Sequence, residues 1–341
     1  AQQRSDGYAK VTGAPIFGVD VSLPDMLYAT VRMSPRFWVE PVKADLSKAE
    51  KMPGVVKIVP IDTSYGHGFG VIAENTWAAF RAAEAIEVEW GEADYPQDSA
   101  AMSAFLRRAL ETGSGDALRD DGDVDTAFAD APRDKVVEAE YEVPFLAHAC
   151  MEPMNATARL KDGLLEVWSP NQMPTLTRQL CADVAGVDTE DARVHTTFMG
   201  GGFGRRGEMD YSMFAALLAR ETDGRPVKVI WTREEDIRHD TYRPAAMGRF
   251  RARLGADGLP EAVDMRIASP STIASTLRRT FPSLSPLGPD KTIAEGAFDQ
   301  PYTIPDYRVA AVKADTGVPV GFWRSVGNSF NGYFHESFLD E

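Results

Sequence analysis

Hydrophobic and polar positions divide this chain into two patterned tracts separated by a polar one. Before residue 95, MLYATVRM (26–33), VVKIVP (55–60) and GVIA (70–73) read as strands. TWAAFRAAEA (76–85) reads as a helix with Thr76 near its N-cap, followed by the alternating strand IEVEW (86–90). Residues 95–134 are polar and acidic, with one helical run at 100–111, and read as a surface linker. Beyond them VVEAEYEV (136–143) alternates as a strand, and 156–160 and 164–168 form a hairpin across Asp162-Gly163. A helix is expected over 176–185, then a strand ending at Thr232, and strands at 247–254 and 261–267 joined across Asp257-Gly258. The Pro- and Ser-rich 281–289 is a long loop of the sort that borders a site. Phe330, Phe334 and Phe338 then recur four apart, a helical pattern that stops at Asp340-Glu341 without a glycine or a basic last turn. Such an ending suits a fragment or a divided polypeptide. The expected fold class is α+β, with a first domain over 1–94, a linker over 95–134 and a second, incomplete domain over 135–341.

The densest chemistry lies in Met199-Gly200-Gly201-Gly202-Phe203-Gly204-Arg205-Arg206-Gly207-Glu208, between an extended run (193–199) and a helical run (210–220). Three glycines let the backbone reach positive φ and approach a ligand closely. Amides of the turn and of the first helical turn form an anion site, to which two arginines add charge and forked donors. A plain glycine turn is the competing reading. Gly202, Gly204 and Gly207 also satisfy G-x-G-x-x-G, the dinucleotide fingerprint, although Glu234 and Glu235 come later than its ribose-binding acid. An NAD- or FAD-binding oxidoreductase is the alternative function on that ground, and a non-catalytic scaffold fragment is the other alternative.

Three further stretches carry polar candidates. His148 and Glu152 have the chemistry of an acid and a base, but a structural role is the favoured reading for both. Gln172, after the strand ending at Trp168, offers an amide to a ligand or closes a turn. Arg324, Ser325, Val326 and Gly327 lead into the last helix, where amides can point at an anion or oxo group; taken alone they read as an ordinary loop-to-helix junction with a solvated arginine, and paired with the glycine segment as opposite sides of one pocket.

Composition narrows the classes. A chain of 341 residues, 44% hydrophobic, can bury more than one core. A formal charge of −15 argues against nucleic acid as a partner. No apolar run approaches the ~20 residues of a membrane span. The beginning AQQRSDGYAK lacks a signal-peptide core, so export cannot be read from it. Cys150 and Cys181 are expected as buried free thiols, too few for an iron–sulfur cluster. The five histidines are scattered, which speaks against a metal held by side chains.

Four motifs, HACMEPMNATA (148–158), WSPNQ (168–172), GGGFGRR (200–206) and FWRSVGNSFNGYFHESFLDE (322–341), resemble in content and order the molybdenum hydroxylases. The resemblance is to the large-subunit superfamily of xanthine dehydrogenase and aldehyde oxidoreductase, most of all to the isoquinoline 1-oxidoreductase β-subunit type. DGYAKVTGAPIFGVDVSLPDMLYATVRMSP (6–35) with MPGV (52–55) resembles that family's α/β hammerhead domain, making 135–341 the first molybdopterin-binding domain. The resemblance implies molybdopterin, in the cytosine dinucleotide form, with molybdenum held by the pterin dithiolene rather than by side chains. It implies that Gly200, Gly201, Gly202, Phe203, Gly204 and Arg205 hold the cofactor, with Gln172 as a donor beside it. Arg324, Ser325, Val326 and Gly327 would line the other side. The implied reaction is hydroxylation of an N-heteroaromatic compound or an aldehyde with oxygen from water. Electrons would leave through [2Fe–2S] clusters of a separate small subunit. The family's general-base glutamate belongs to a later domain; Glu152 and Glu208 do not match it, so this chain alone is expected to be inactive and to need the rest of its subunit. Where xanthine-type members carry a substrate-binding glutamate, this chain has Gly207, which disfavours purines. Relatives of the isoquinoline type are often exported with folded cofactor, so the resemblance leans towards the periplasm over the cytoplasm without deciding between them.

Overall fold

The computed structural model describes residues 4–341. Its strands are Leu27–Met33 (β1), Pro41–Asp45 (β2), Val55–Thr63 (β3), Gly66–Ala73 (β4), Glu87–Trp90 (β5), Asp116–Asp121 (β6) and Val136–Val143 (β7). They continue with Asn155–Lys161 (β8), Leu164–Ser169 (β9), Ala192–Thr196 (β10), Val227–Ile230 (β11), Ala246–Leu254 (β12), Pro260–Ser269 (β13) and Asp306–Lys313 (β14). Two compact units result, each made of two chain segments. One combines the chain up to Ala93 with His148–Asp240, the other Asp94–Ala147 with Thr241–Glu341. The compact units therefore do not follow the linear division into 1–94 and 135–341.

The first unit is built on a mixed seven-stranded sheet, β10-β9-β8-β11-β1-β4-β3, with β2 and β5 as a separate pair. β1 sits inside it, parallel to β11 and antiparallel to β4. The β8–β9 hairpin turns at Asp162 (φ 53°) and Gly163 (φ 80°), the left-handed pair that matches the twist of two-residue hairpins. Asn75 rather than Thr76 caps the helix Thr76–Ala85, its Oδ1 accepting the Ala78 N–H at 2.9 Å. Helix Pro174–Ala185 starts on a proline and stops at Gly186 in left-handed geometry (φ 72°). Helix Asp210–Ala219 is buried almost all round, with Phe214 stacked on Trp231 at 6.0 Å in a core that includes Leu27, Val31, Leu165 and Val167.

The second unit is a five-stranded sheet, β6-β14-β13-β12-β7. On one face, helix Asn328–Asp340 buries Phe330, Phe334 and Phe338 against Tyr141, Phe250, Ile267 and Val309. The expected four-residue spacing is the docking stripe of this helix. On the other face, helix Ser99–Thr112 buries Leu106 and Leu110 against Met247, Ala268 and Val312. The supposed linker is thus structural. It holds that helix, β6 and helix Val124–Ala129, with a few apolar residues buried on single faces and the rest partly or fully exposed. β14 shows no alternation, because Val309–Val312 is buried on both sides, as a strand covered from both faces must be.

Two buried titratable groups set opposing pH dependences in the first unit. Burial pushes Glu235 up to about 7 from an ordinary 4.5, although it accepts the Met33 N–H at 3.0 Å. Burial pushes His239 down to about 4 from 6.5, with Nε2 donating to the Tyr65 carbonyl at 3.0 Å. The Glu235 contribution is present below about 4.5 and lost as pH rises through about 7; that of His239 is present above about 6.5 and lost as pH falls through about 4. The two slopes offset each other across the shared window. In Glu235→Gln, urea-unfolding stability should rise with pH between about 4 and 6.5 more steeply than in the wild type; parallel curves would contradict the assignment. In the second unit, Phe334→Ala should cost about 3–5 kcal/mol in the same measurement, since it empties the centre of the aromatic cluster.

Candidate functional site

β10 ends at Thr196 and the next helix begins at Asp210, and the glycine segment occupies the excursion between them. Each successive carbonyl of that segment is tied inward. Gly200 O accepts the Glu152 N–H at 3.0 Å. Gly201 O accepts Arg206 Nε at 2.7 Å. Gly202 O accepts the Arg205 N–H at 2.8 Å, with the Cys150 thiol 3.6 Å away. In a planar trans peptide the N–H points opposite to the C=O. The amides of Gly201, Gly202 and Phe203 therefore face outward, and among the described residues none has a protein acceptor. Gly201 (φ 104°), Phe203 (φ 54°) and Gly204 (φ 105°) take left-handed or more extreme values, which shape the concavity.

Gln172 closes one side of this row. Its backbone N–H donates to Arg206 O at 2.8 Å and its Oε1 accepts the Gly204 N–H at 3.2 Å. That leaves Nε2 as an exposed donor beside the three amides, and removes the Gly204 N–H from the free set. A Cβ on Gly202 would stand 3.0 Å from Gln172 Oε1, a tight contact that the exposed Gln172 side chain would have to shift to relieve.

The arginines do not add charge to the outward face, contrary to the expectation. Both are buried, Arg205 at 1% and Arg206 at 0% exposure. Arg205 forms a two-pronged pair with Asp210 at 2.9 and 2.7 Å. Its Nε stands 2.9 Å from Asp240 Oδ1, an ion pair whose angle falls short of a hydrogen bond. Asp240 in turn takes the His148 backbone N–H at 2.5 Å and its ring Nδ1 at 3.1 Å. Arg206 donates to the carbonyls of Gly201 and Glu152 and meets the Glu152 carboxylate at 3.1 Å. Burial would oppose both charges; neighbouring carboxylates hold Arg205 well above the ordinary arginine range instead. The first turn of helix Asp210–Ala219 is likewise buried, so the outward amides belong to the glycine turn alone.

Glu152 is engaged through both carboxylate oxygens. Its Oε2 accepts the Gly200 N–H at 2.7 Å, while Oε1 accepts from Val19 N and Asn155 Nδ2, both at 3.0 Å. This is the structural role expected for it, and His148 serves likewise. Burial raises the Cys150 thiol, and Cys150 and Cys181 are both buried and free.

Arg324, Ser325, Val326 and Gly327 lie in the other unit. Ser325 (φ 73°) and Val326 (φ 47°) are consecutive left-handed residues, unusual for serine and strained for a β-branched valine. Val326 N–H donates to Trp323 O at 2.7 Å and Asn328 N–H to Ser325 O at 3.0 Å. The amides of Arg324 and Ser325 have no protein acceptor among the described residues, and both residues are exposed.

The dinucleotide fingerprint does not hold geometrically. It needs a tight turn from strand end to helix start, whereas a long irregular excursion and a 3₁₀ turn, Arg205–Gly207, separate β10 from the helix. Among the described residues no group of three His, Cys, Asp or Glu side chains is placed to hold a metal.

A family model described as the molybdopterin cofactor-binding domain matches residues 111–341. The chain belongs to that family. The family members it resembles are molybdenum hydroxylase large subunits. It is 31% identical over 343 residues to a membrane-bound aldehyde dehydrogenase, named for pyrroloquinoline quinone, of Gluconacetobacter polyoxogenes, covering 98% of this chain and 44% of that protein. It is 28% identical over 348 residues to isoquinoline 1-oxidoreductase subunit beta of Brevundimonas diminuta, covering 99% and 43%. Among solved structures, quinoline 2-oxidoreductase from Pseudomonas putida 86 superposes with a TM-score of 0.78 at 20% identity, over 100% of this chain and 47% of that one. That likeness supports the α+β fold. The chain spans less than half the length of these relatives. The molybdopterin-binding match begins within the stretch expected as a linker, where helix Ser99–Thr112 is ending.

Glu152→Gln should test the inward anchoring. It leaves buried Arg206 without its carboxylate, and urea unfolding should show a loss of about 3–5 kcal/mol. A loss under about 1 kcal/mol would mean that the carbonyl partners of Arg206 suffice.

Proposed function

We propose that this chain is part of the catalytic subunit of a molybdenum hydroxylase acting on an N-heteroaromatic compound or an aldehyde. The observation that carries the reading is the row of three outward amides at Gly201, Gly202 and Phe203 in a chain of the molybdopterin-binding family. Such a row suits an anionic or oxo-bearing group and needs no side-chain ligand, which fits a metal carried by its own organic ligand. When bound, molybdopterin would supply a molybdenum centre able to take two electrons from the carbon that is hydroxylated with water-derived oxygen.

The chain's own residues would bind and orient. Gly201, Gly202 and Phe203 donate backbone N–H bonds, and Gln172 Nε2 adds a side-chain donor. Gly200, Gly204 and Arg205 set the shape of the turn without facing the ligand. In the other unit, Arg324 and Ser325 have backbone N–H groups of their own to offer, free among the described residues and set by the turn through Val326 and Gly327. Glu152 and Glu208 are engaged inside the protein, Glu208 accepting the Tyr65 hydroxyl at 3.0 Å, so neither serves as the general base, which this reading assigns to a part of the subunit outside this chain. Gly207 places no carboxylate at the rim, and exposed Met173 and Phe203 lie nearby, a setting that favours an apolar ring or aldehyde over a purine. The relatives named for isoquinoline and for aldehydes support the same substrate classes. The cofactor is proposed in its cytosine dinucleotide form, with the remainder of the subunit and a small [2Fe–2S] subunit as partners.

Metal and nucleotide analysis of the full-length protein from a cofactor-producing host tests this. Near-stoichiometric molybdenum with cytidine monophosphate released by acid is the expected result. A folded sample with neither would leave a scaffold without cofactor.

A further inference from the structure

We propose that residues 16–20 are a strap that positions the glycine turn, pinned from below by the buried side chain of Lys228. The proposal rests on the functional reading for what the turn holds, but not for how the turn is held.

The strap begins beside the turn. Ile16 O accepts the Phe198 N–H at 3.1 Å, Phe17 and Phe198 form an isolated parallel bridge, and their rings lie 6.1 Å apart. Phe198 stands two residues before Gly200. The chain then tightens into the 3₁₀ turn Gly18–Asp20, which Asp20 closes by accepting the Phe17 N–H at 3.0 Å. Gly18 is buried, and a Cβ there would collide with Asn155 Oδ1 and stand 2.6 Å from the rigid Pro170 ring. This close approach requires glycine.

Val19 is gripped on both sides. Its N–H donates to Glu152 Oε1 at 3.0 Å, and its carbonyl accepts Lys228 Nζ at 2.6 Å. Lys228 rises from within the sheet, on β11 between Tyr28 of β1 and Thr157 of β8, and is 5% exposed. Val19 O is its one hydrogen-bond acceptor among the described residues. Burial pulls the ammonium below the ordinary lysine range and Asp20 opposes that. The strap therefore supplies both the acceptor and the nearby carboxylate that make a buried ammonium tolerable.

The Glu152 carboxylate passes this hold to the turn. Val19 N–H and Asn155 Nδ2 meet one oxygen, while the other accepts the Gly200 N–H at 2.7 Å and Arg206 Nη2 at 3.1 Å. These donors leave the carboxylate one orientation, and one of them belongs to the strap. Without the Lys228 anchor, Oε1 keeps Asn155 alone. Gly200 and Arg206 then follow a carboxylate that can rotate, and the amides of Gly201, Gly202 and Phe203 lose their common direction.

The test uses the full-length protein as wild type, Lys228→Met and Phe17→Ala. Methionine keeps an unbranched stem in the buried place and removes the donor. Alanine at the half-buried Phe17 loosens the strap from its other end, and decides whether the strap holds the turn should Lys228→Met fail to fold. Amide hydrogen exchange is read on 16–20 and 197–204, with helix Pro174–Ala185 of the same unit as control. Both segments should exchange about tenfold faster in Lys228→Met, and by a smaller factor in Phe17→Ala, with the control unchanged. Faster exchange at 16–20 alone would overturn the proposal, as would no change or an equal change in the helix. Molybdenum content, and the Mo(V) EPR signal after partial reduction with dithionite, are read on the same samples. Lys228→Met should lose bound molybdenum severalfold or, where it keeps the metal, show a shifted signal. Full content with the wild-type signal would overturn the positioning role. A wild type without molybdenum that still shows the exchange pattern would keep the strap and remove the functional reading alone.

Discussion

The guanidinium of Arg206 is completely buried, and the shape of the glycine turn depends on where its donors go. It draws the Gly201 carbonyl inward, holds the Glu152 carbonyl and carboxylate, and thereby fixes the Gly200 amide as well. Peptide planarity converts those inward anchors into an outward row of N–H groups. The outward face carries no formal charge of its own. Any attraction it holds for an anion would come from aligned dipoles, since the full charges of Arg205 and Arg206 are neutralised by Asp210, Asp240 and Glu152 behind it. A ligand held this way meets a rigid surface with little reorganisation left to do.

The two units reach this rigidity differently. In the first, a charged network lies under the turn, and removing one member leaves another buried without a partner. In the second, aromatic packing holds the helix that follows the turn. Phe334 contacts Tyr141, Phe250 and Phe330. Left-handed strain at Ser325 and Val326 costs about 1–3 kcal/mol each, a small charge on a helix anchored by three buried phenylalanines.

Much of the fold was legible where the information is local. The Asp162-Gly163 hairpin, the phenylalanine stripe and β7 appear where residue spacing puts them. The glycine turn was legible for the same reason, since only glycine tolerates φ near 105° at Gly201 and Gly204. The direction of the arginines was not. GGGFGRR reads as a cationic anion site until Asp240 and Glu152, distant in sequence, are seen to claim both guanidinium groups. β14 was hidden by burial on both faces, and the helix within 95–134 by its charged exterior. The regrouping of 148–240 with the amino-terminal segment depends on long-range pairing of β1 with β11, which no local period reports.

That pairing has a consequence during synthesis. Leu27 of β1 aligns with Val227 of β11, so one edge of β1 has no partner until about two hundred further residues have left the ribosome. At ~5–20 residues per second the delay is on the order of 10–40 s. Throughout it, a hydrophobic strand with open hydrogen-bonding groups is exposed to other nascent chains. The second unit has the same property, because β7 waits for β12. Assembly of this protein is therefore a race between chain elongation and edge-to-edge association, and slowed translation between residues 93 and 227 would favour aggregation over folding.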